Sequence, residues 1–135
     1  MGLSTFFAHF LVFGLAFGLL EAAWMAGYRR RMYQQELGGQ LAQRVDVRVI
    51  LLLYLVYMVG VTVFVMQPAW TIEYWPVLAM GVFFGVVTHA TYNLANLAAL
   101  RHWSRRVAVV DVIWGGAATG LAAYVSVMVL KGVVV

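Results

Sequence analysis

Residues 49–67 read VILLLYLVYMVGVTVFVMQ, an uncharged apolar run long enough to cross a bilayer as a helix. Polar and apolar residues do not alternate in it, which selects helix over strand. In hydrocarbon only helices and closed barrels satisfy their backbone hydrogen bonds, so the run reads as a transmembrane helix. Three other stretches share its character: about Leu3 to Tyr28, about Trp75 to Leu100 and about Val107 to Leu130. The expected fold is all-α, an integral membrane four-helix bundle forming a single transmembrane domain over residues 1–135. Pro68 and Pro76 bracket the short second loop, where they can stop one helix and start the next.

Composition points the same way. The chain is 64% hydrophobic and 10% charged, with a mean hydropathy of +0.90. A soluble domain carries roughly 45–50% apolar and about 25% charged residues, so an ordinary soluble fold is excluded. Of nine basic residues, eight fall in two short stretches between apolar segments, which suits membrane-surface loops and not nucleic-acid binding. With no cysteine there is no disulfide, thiolate metal site or cysteine nucleophile.

The loops set an expected orientation. Arg29, Arg30, Arg31, Arg44 and Arg48 lie in the first, and Arg101, Arg105 and Arg106 in the third. The second has no Lys or Arg, only Glu73. The positive-inside rule puts loops one and three in the cytoplasm and both termini outside, with Lys131 as the single opposing charge. Trp70, Trp75 and Tyr74 then mark the outer interface, and Trp103, Tyr28 and Tyr33 the inner one. The first segment does not read as a cleaved secretory signal, because Met1 to Phe7 lacks Lys and Arg and the positive charge follows the apolar run. Loop one has room for a short surface helix with Met32, Leu37 and Leu41 available to touch lipid. The expected location is a membrane crossed by all four segments.

Polar residues interrupt the apolar segments at one depth. At 1.5 Å per residue, Glu21 lies roughly 12 Å from Arg29, Asn93 roughly 12 Å from Arg101, Asn96 about 7 Å from Arg101 and Asp111 about 7 Å from Arg106. In helix three, His89, Tyr92, Asn93 and Asn96 trace one face, and helix two passes the same depth with Tyr54 and Tyr57. A carboxylate at a helix centre costs about 2.5–3.5 kcal/mol on the insertion scale, so such residues usually face the bundle interior. The cluster reads as glue between helices, as a ligand or proton site, or as a protein–protein contact. Glu21-x-x-Trp24 and Asp111-x-x-Trp114 echo one another, either by convergence on one interface or as an inverted repeat.

Other features carry less. Gly14 and Gly18, Gly81 and Gly85, and Gly116 and Gly120 have the four-residue spacing that allows close backbone approach. Gly85-x-x-x-His89-Ala90 allows a flat macrocycle, haem or bacteriochlorophyll, to approach the imidazole, though a hydrogen-bonded core histidine is the plainer reading. His9 lies toward the other side and does not pair with His89, and His102 is interfacial. There is no phosphate-binding glycine loop, no Ser-His-acid arrangement and no histidine pair at metal-ligand spacing.

Leu20-Glu21-Ala22-Ala23-Trp24, Leu53 to Tyr57, Gly81 to Gly85, Ala90 to Ala98 and Val110-Asp111-Val112-Ile113-Trp114-Gly115 together resemble the bacterial four-helix inner-membrane family catalogued as domain of unknown function 2177. Asn96, Asp111 and Trp114 match the family pattern, which typically has Asp at the positions of Glu21 and Asn93. The resemblance implies the four-helix fold and no established activity. If the family's chemistry needs three carboxylates, the Asn93 departure implies an accessory role.

Three functions follow as expectations. The first is a small accessory subunit packing against a larger respiratory or photosynthetic membrane complex, or against a second copy of itself. The second is a binder or carrier of a small solute, lipid or proton at the Glu21–Asn93–Asn96–Asp111 cluster. The third is an intramembrane lipid-modifying enzyme using Glu21, Asp111 and His89.

Overall fold

The computed structural model describes residues 1–69 and 74–134, so Trp70 and Glu73 of the second loop lie outside the described residues. Among the described residues, four helices are long and apolar enough to cross a membrane: helix one, Leu3–Gln40; helix two, Val47–Met66; helix three, Tyr74–Ala99; and helix four, Arg105–Gly132, with helical structure continuing to Val134. No strand occurs among the described residues.

Helix one does not stop at Tyr28, where its apolar run ends. An α-helix over Leu3–Trp24 passes through a π turn, Met25–Arg29, into a second α-helical stretch, Arg30–Leu37, and a 3-10 turn, Gly38–Gln40. Met32 and Leu37 were expected to touch lipid. They are instead buried with Val107, packed by Tyr33, Leu41, Trp103 and Val110. The polar extension of helix one therefore leans on the start of helix four.

Helix two starts at Asp46, whose carboxylate accepts the Arg48 N–H at 3.0 Å as an N-cap. Its last turns, Thr62–Met66, are again π, and a short helical piece, Gln67–Ala69, carries Pro68. Pro76 sits in the first turn of helix three, where its missing N–H leaves no bond unmade.

Helices three and four form the tightest pair. A Cβ at Gly81 would stand 2.8 Å from Cα of Gly120, and one at Gly116 would stand 2.8 Å from Val86. Gly85 faces the Gly115 carbonyl. These glycines let two backbones approach as small-residue motifs do in membranes. They are used inside the bundle, which leaves their faces unavailable to a partner.

The interior is layered. Toward the end bearing the termini, Phe13, Phe17, Val61, Val65, Met66, Val77, Ala118, Ala122, Ala123 and Val127 form one apolar core. The Met32–Leu37–Val107 cluster closes the arginine-rich end. Helix two joins the core through Val61, Thr62, Val65 and Met66, whereas Val49 to Leu53, Leu55 and Val56 are exposed. Its arginine-end half stands away from helix three and leaves a cleft at the level of the polar layer.

Candidate functional site

The polar layer is built on two carboxylates, each held by different helices. Glu21 is 8% exposed and Asp111 6%. Oε1 of Glu21 accepts the Trp114 indole N–H at 2.7 Å. Oε2 accepts from the Arg29 guanidinium at 3.2 Å and the Tyr54 hydroxyl at 3.4 Å. Asp111 Oδ2 accepts from Asn93 Nδ2 at 2.7 Å, while Oδ1 has the Tyr33 hydroxyl at 3.5 Å. Arg29 also reaches Tyr33, at 3.5 Å, and its guanidinium stands over the Tyr33 ring at 4.8 Å from the centroid. A chain of polar contacts thus runs Glu21–Arg29–Tyr33–Asp111–Asn93.

The π turn explains how Arg29 reaches Glu21. Residues eight apart in a regular helix of 3.6 residues per turn drift off one face by about 80°. A π turn takes up one extra residue, which brings Arg29 back beneath Glu21. Tyr33, four residues further on, falls on the same stripe.

Asn93 is 1% exposed and fully engaged. Its Nδ2 also donates to the His89 carbonyl at 2.9 Å, and its Oδ1 accepts the Trp103 indole N–H at 3.1 Å. The Asn is oriented by these partners as a donor toward Asp111. Tyr57 bonds Thr119 at 2.7 Å and Thr88 at 3.4 Å. Trp24 and Trp114 stack at 4.5 Å between centroids and 8° between planes. The two acid-Trp motifs therefore meet. Trp114 bonds Glu21, but Trp24 makes no reciprocal bond to Asp111, which favours convergence on one interface over an inverted repeat.

Between these groups lies a cleft of about 280 Å³, lined by Phe17, Glu21, Arg29, Leu53, Tyr54, Tyr57, Thr88, His89, Tyr92 and Asp111. Leu53, 63% exposed, and Tyr92, 54% exposed, stand at its mouth between helices two and three. Both residues lie within membrane-capable helices. On the arginine side the helix-one extension is tied down by Ser104 donating to Glu36 at 2.7 Å, Arg106 on Glu36 at 3.5 Å, and Gln40 donating to the His102 carbonyl at 2.8 Å.

Of the residues singled out in the sequence, Glu21, Tyr54, Tyr57, His89, Tyr92 and Asp111 line the cleft, and Trp24, Trp114 and Asn93 brace it from behind. Asn96 is not brought in. It is half-buried one turn further along helix three, and its carbonyl accepts the Leu100 N–H. Arg29, Tyr33, Trp103, Thr88 and Thr119 belong to the site and were not picked out. Arg29 reads as a loop charge, and Tyr33 and Trp103 as interface markers, because nothing in the apolar pattern signals that helix one continues past Tyr28. A helix carried through Arg29 with one inserted residue was the signal that could have found the first two.

His89 does not fit a macrocycle resting on Gly85. Its Nδ1 bonds the Gly85 carbonyl at 2.8 Å, Gly115 of helix four lies against the imidazole, and Gly85 is packed on helix four. The face that a flat ring would need is filled by backbone. His9, near the other end, shares a 3.1 Å contact with Ser126. No group of three His, Asp or Glu able to hold a metal converges among the described residues.

Residues 6–128 match a family described as "Predicted membrane protein (DUF2177)". The chain belongs to that family. No curated protein and no solved structure matches it. Membership agrees with four membrane-capable helices and a place in a lipid bilayer, and the family description assigns no activity.

Proposed function

We propose that this DUF2177 member is a membrane-embedded binder or carrier of an amphipathic small molecule. The molecule enters sideways from the bilayer between helices two and three. The observation that carries this reading is the cleft itself, with exposed Leu53 and Tyr92 at its mouth and Glu21, Arg29, His89 and Asp111 among the residues that line it. A site serving only to glue helices would be filled by its own side chains, as polar contacts elsewhere in the bundle are. Here the polar floor keeps space in front of it. Of the glycines at four-residue spacing that could offer a face to a partner, those of helices three and four pack on each other and Gly14 packs on Met58, so only Gly18 leaves an open small-residue position. Binding sites of this kind are concave, mostly apolar and carry a few convergent polar groups.

The proposed location is a bacterial inner membrane with both termini outside, since eight of nine basic residues lie at the opposite end. A reporter fused after Val135 then reads the outer face and one inserted near Gln40 the cytoplasm; reversed signals overturn the orientation.

Native mass spectrometry on protein purified gently from its own membranes tests the function. The expected result is a retained molecule of lipid size, lost in Glu21→Gln and Asp111→Asn while expression and folding persist. A stoichiometric partner polypeptide with no small molecule would replace this reading by the subunit one.

A further inference from the structure

The cleft's charges and hydrogen-bond capacities do not balance, and the imbalance specifies a ligand chemistry. Glu21 and Asp111 contribute two carboxylates, and Arg29 alone stands between them; Arg106 is turned to Glu36 and Tyr28. With both acids ionised, the floor holds one uncompensated negative charge among the described residues.

Donors are distributed unevenly as well. Both Glu21 oxygens have a donor within 3.2 Å, Trp114 on one and Arg29 on the other, with Tyr54 at a longer 3.4 Å. Asp111 Oδ2 has a short bond from Asn93, but Oδ1 has only Tyr33 at 3.5 Å, beyond the usual range of about 2.5–3.0 Å for O–H···O. His89 Nδ1 faces a backbone carbonyl, which can only accept, so Nδ1 carries a proton, and in the tautomer with that single proton Nε2 is an acceptor. Asp111 and His89 both line the cleft. The floor thus keeps two acceptors, Asp111 Oδ1 and His89 Nε2, without a close donor among the described residues, and its two carboxylates share one cation.

Resting on the lateral-binding reading above, we infer that the cleft takes the protonated primary amine of an amphipathic molecule, with the ammonium at Asp111 Oδ1 and His89 and the apolar part passing Leu53 toward lipid. A primary ammonium brings three N–H donors and one positive charge, which matches the deficit. The Tyr57 and Tyr92 rings on the same walls are suitable faces for a cation. An anionic head group would be repelled by the unpaired carboxylate. A quaternary ammonium has the charge but no N–H. The amine can come from an amine-headed lipid or from a soluble alkylamine, which share this chemistry.

The test uses the full chain in maltoside micelles, offered dioleoyl phosphatidylethanolamine, phosphatidylcholine or phosphatidylglycerol, and separately dodecylamine. Adducts are read by native mass spectrometry and by tryptophan fluorescence, which Trp114 reports from beside Glu21. Phosphatidylethanolamine should be retained, with the other two lipids weaker by roughly tenfold, as the loss of a charge-assisted bond implies. Asp111→Asn should bring it down to their level. Should that variant fold poorly, His89→Ala should show the same selective loss, and Leu53→Trp, plugging the mouth, should block every lipid. Dodecylamine bound with the same Asp111 dependence while phosphatidylethanolamine is ignored would keep the amine and identify a soluble source. Equal retention of phosphatidylcholine, or preference for phosphatidylglycerol, would overturn the amine assignment and leave lateral binding standing. If neither any lipid nor dodecylamine binds, both readings fall.

Discussion

Trp114 of helix four donates its indole N–H to Oε1 of Glu21 on helix one at 2.7 Å, across 93 residues of chain. The bond joins the first and last helices at the depth where each carries a carboxylate, and the stack of Trp24 on Trp114 holds the indole in place. It also leaves Oε2 of Glu21 for Arg29 and Tyr54. One acid is thereby fully satisfied by protein, while Asp111 keeps an oxygen with only a long contact.

Trp114→Phe keeps an aromatic ring against Trp24 and removes the donor to Glu21. A lost hydrogen bond to a charged group costs roughly 1.5–3 kcal/mol, so the variant should unfold at a lower temperature, with Trp114→Tyr in between. Thermal denaturation in matched micelles measures this; an unchanged midpoint would show that Glu21 finds another donor.

Arg29→Ala leaves Glu21 and Asp111 without their shared cation. Breaking a buried pair from one side costs about 3–5 kcal/mol, and the quarter-exposed Arg29 side chain reduces that to roughly 2 kcal/mol through water screening. Adding Glu21→Gln removes the orphaned charge, so the double variant should be more stable than Arg29→Ala alone. A double-mutant cycle with no coupling would contradict the ion pair.

Asn93→Asp sets a second carboxyl at the 2.7 Å contact with Asp111. Two carboxylates so close cannot both ionise and must share a proton. The variant should be stable in acid and lose stability as the pH rises and the shared proton leaves. The parent chain, whose Asn93 always donates, should lack that slope. Denaturation midpoints from about pH 5 to pH 9 decide it; parallel profiles would mean the pair is not in contact.

Gly85→Ala drives a methyl group into the Gly115 carbonyl, and helices three and four must part. Overpacking of this kind costs about 1–3 kcal/mol, so the folded yield should fall. Gly18→Ala meets nothing within 4 Å and should be silent. Equal effects at the two positions would refute the helix pairing.

Four helices, their membrane character and the depth of Glu21, Asn93 and Asp111 were legible in the chain, because hydropathy and rise per residue are local properties that need no knowledge of neighbours. The glycine spacing in helices three and four announced a close approach without saying which helix would fill it. Partner choice was not legible. Arg29 and Tyr33 looked like surface residues until a π turn rotated them onto the Glu21 stripe, and Met32 and Leu37 looked lipid-facing until Val107 covered them. Asn96 shared a face with Asn93 by periodicity, yet only Asn93 meets Asp111, because the site is shallower along helix three than the stripe. Sequence alone determined the layer in which polar groups lie, since each helix must carry its own residues at a given depth. Tertiary structure decided which carboxylate is saturated and which faces the cleft, because that depends on the donors that other helices bring to each oxygen atom.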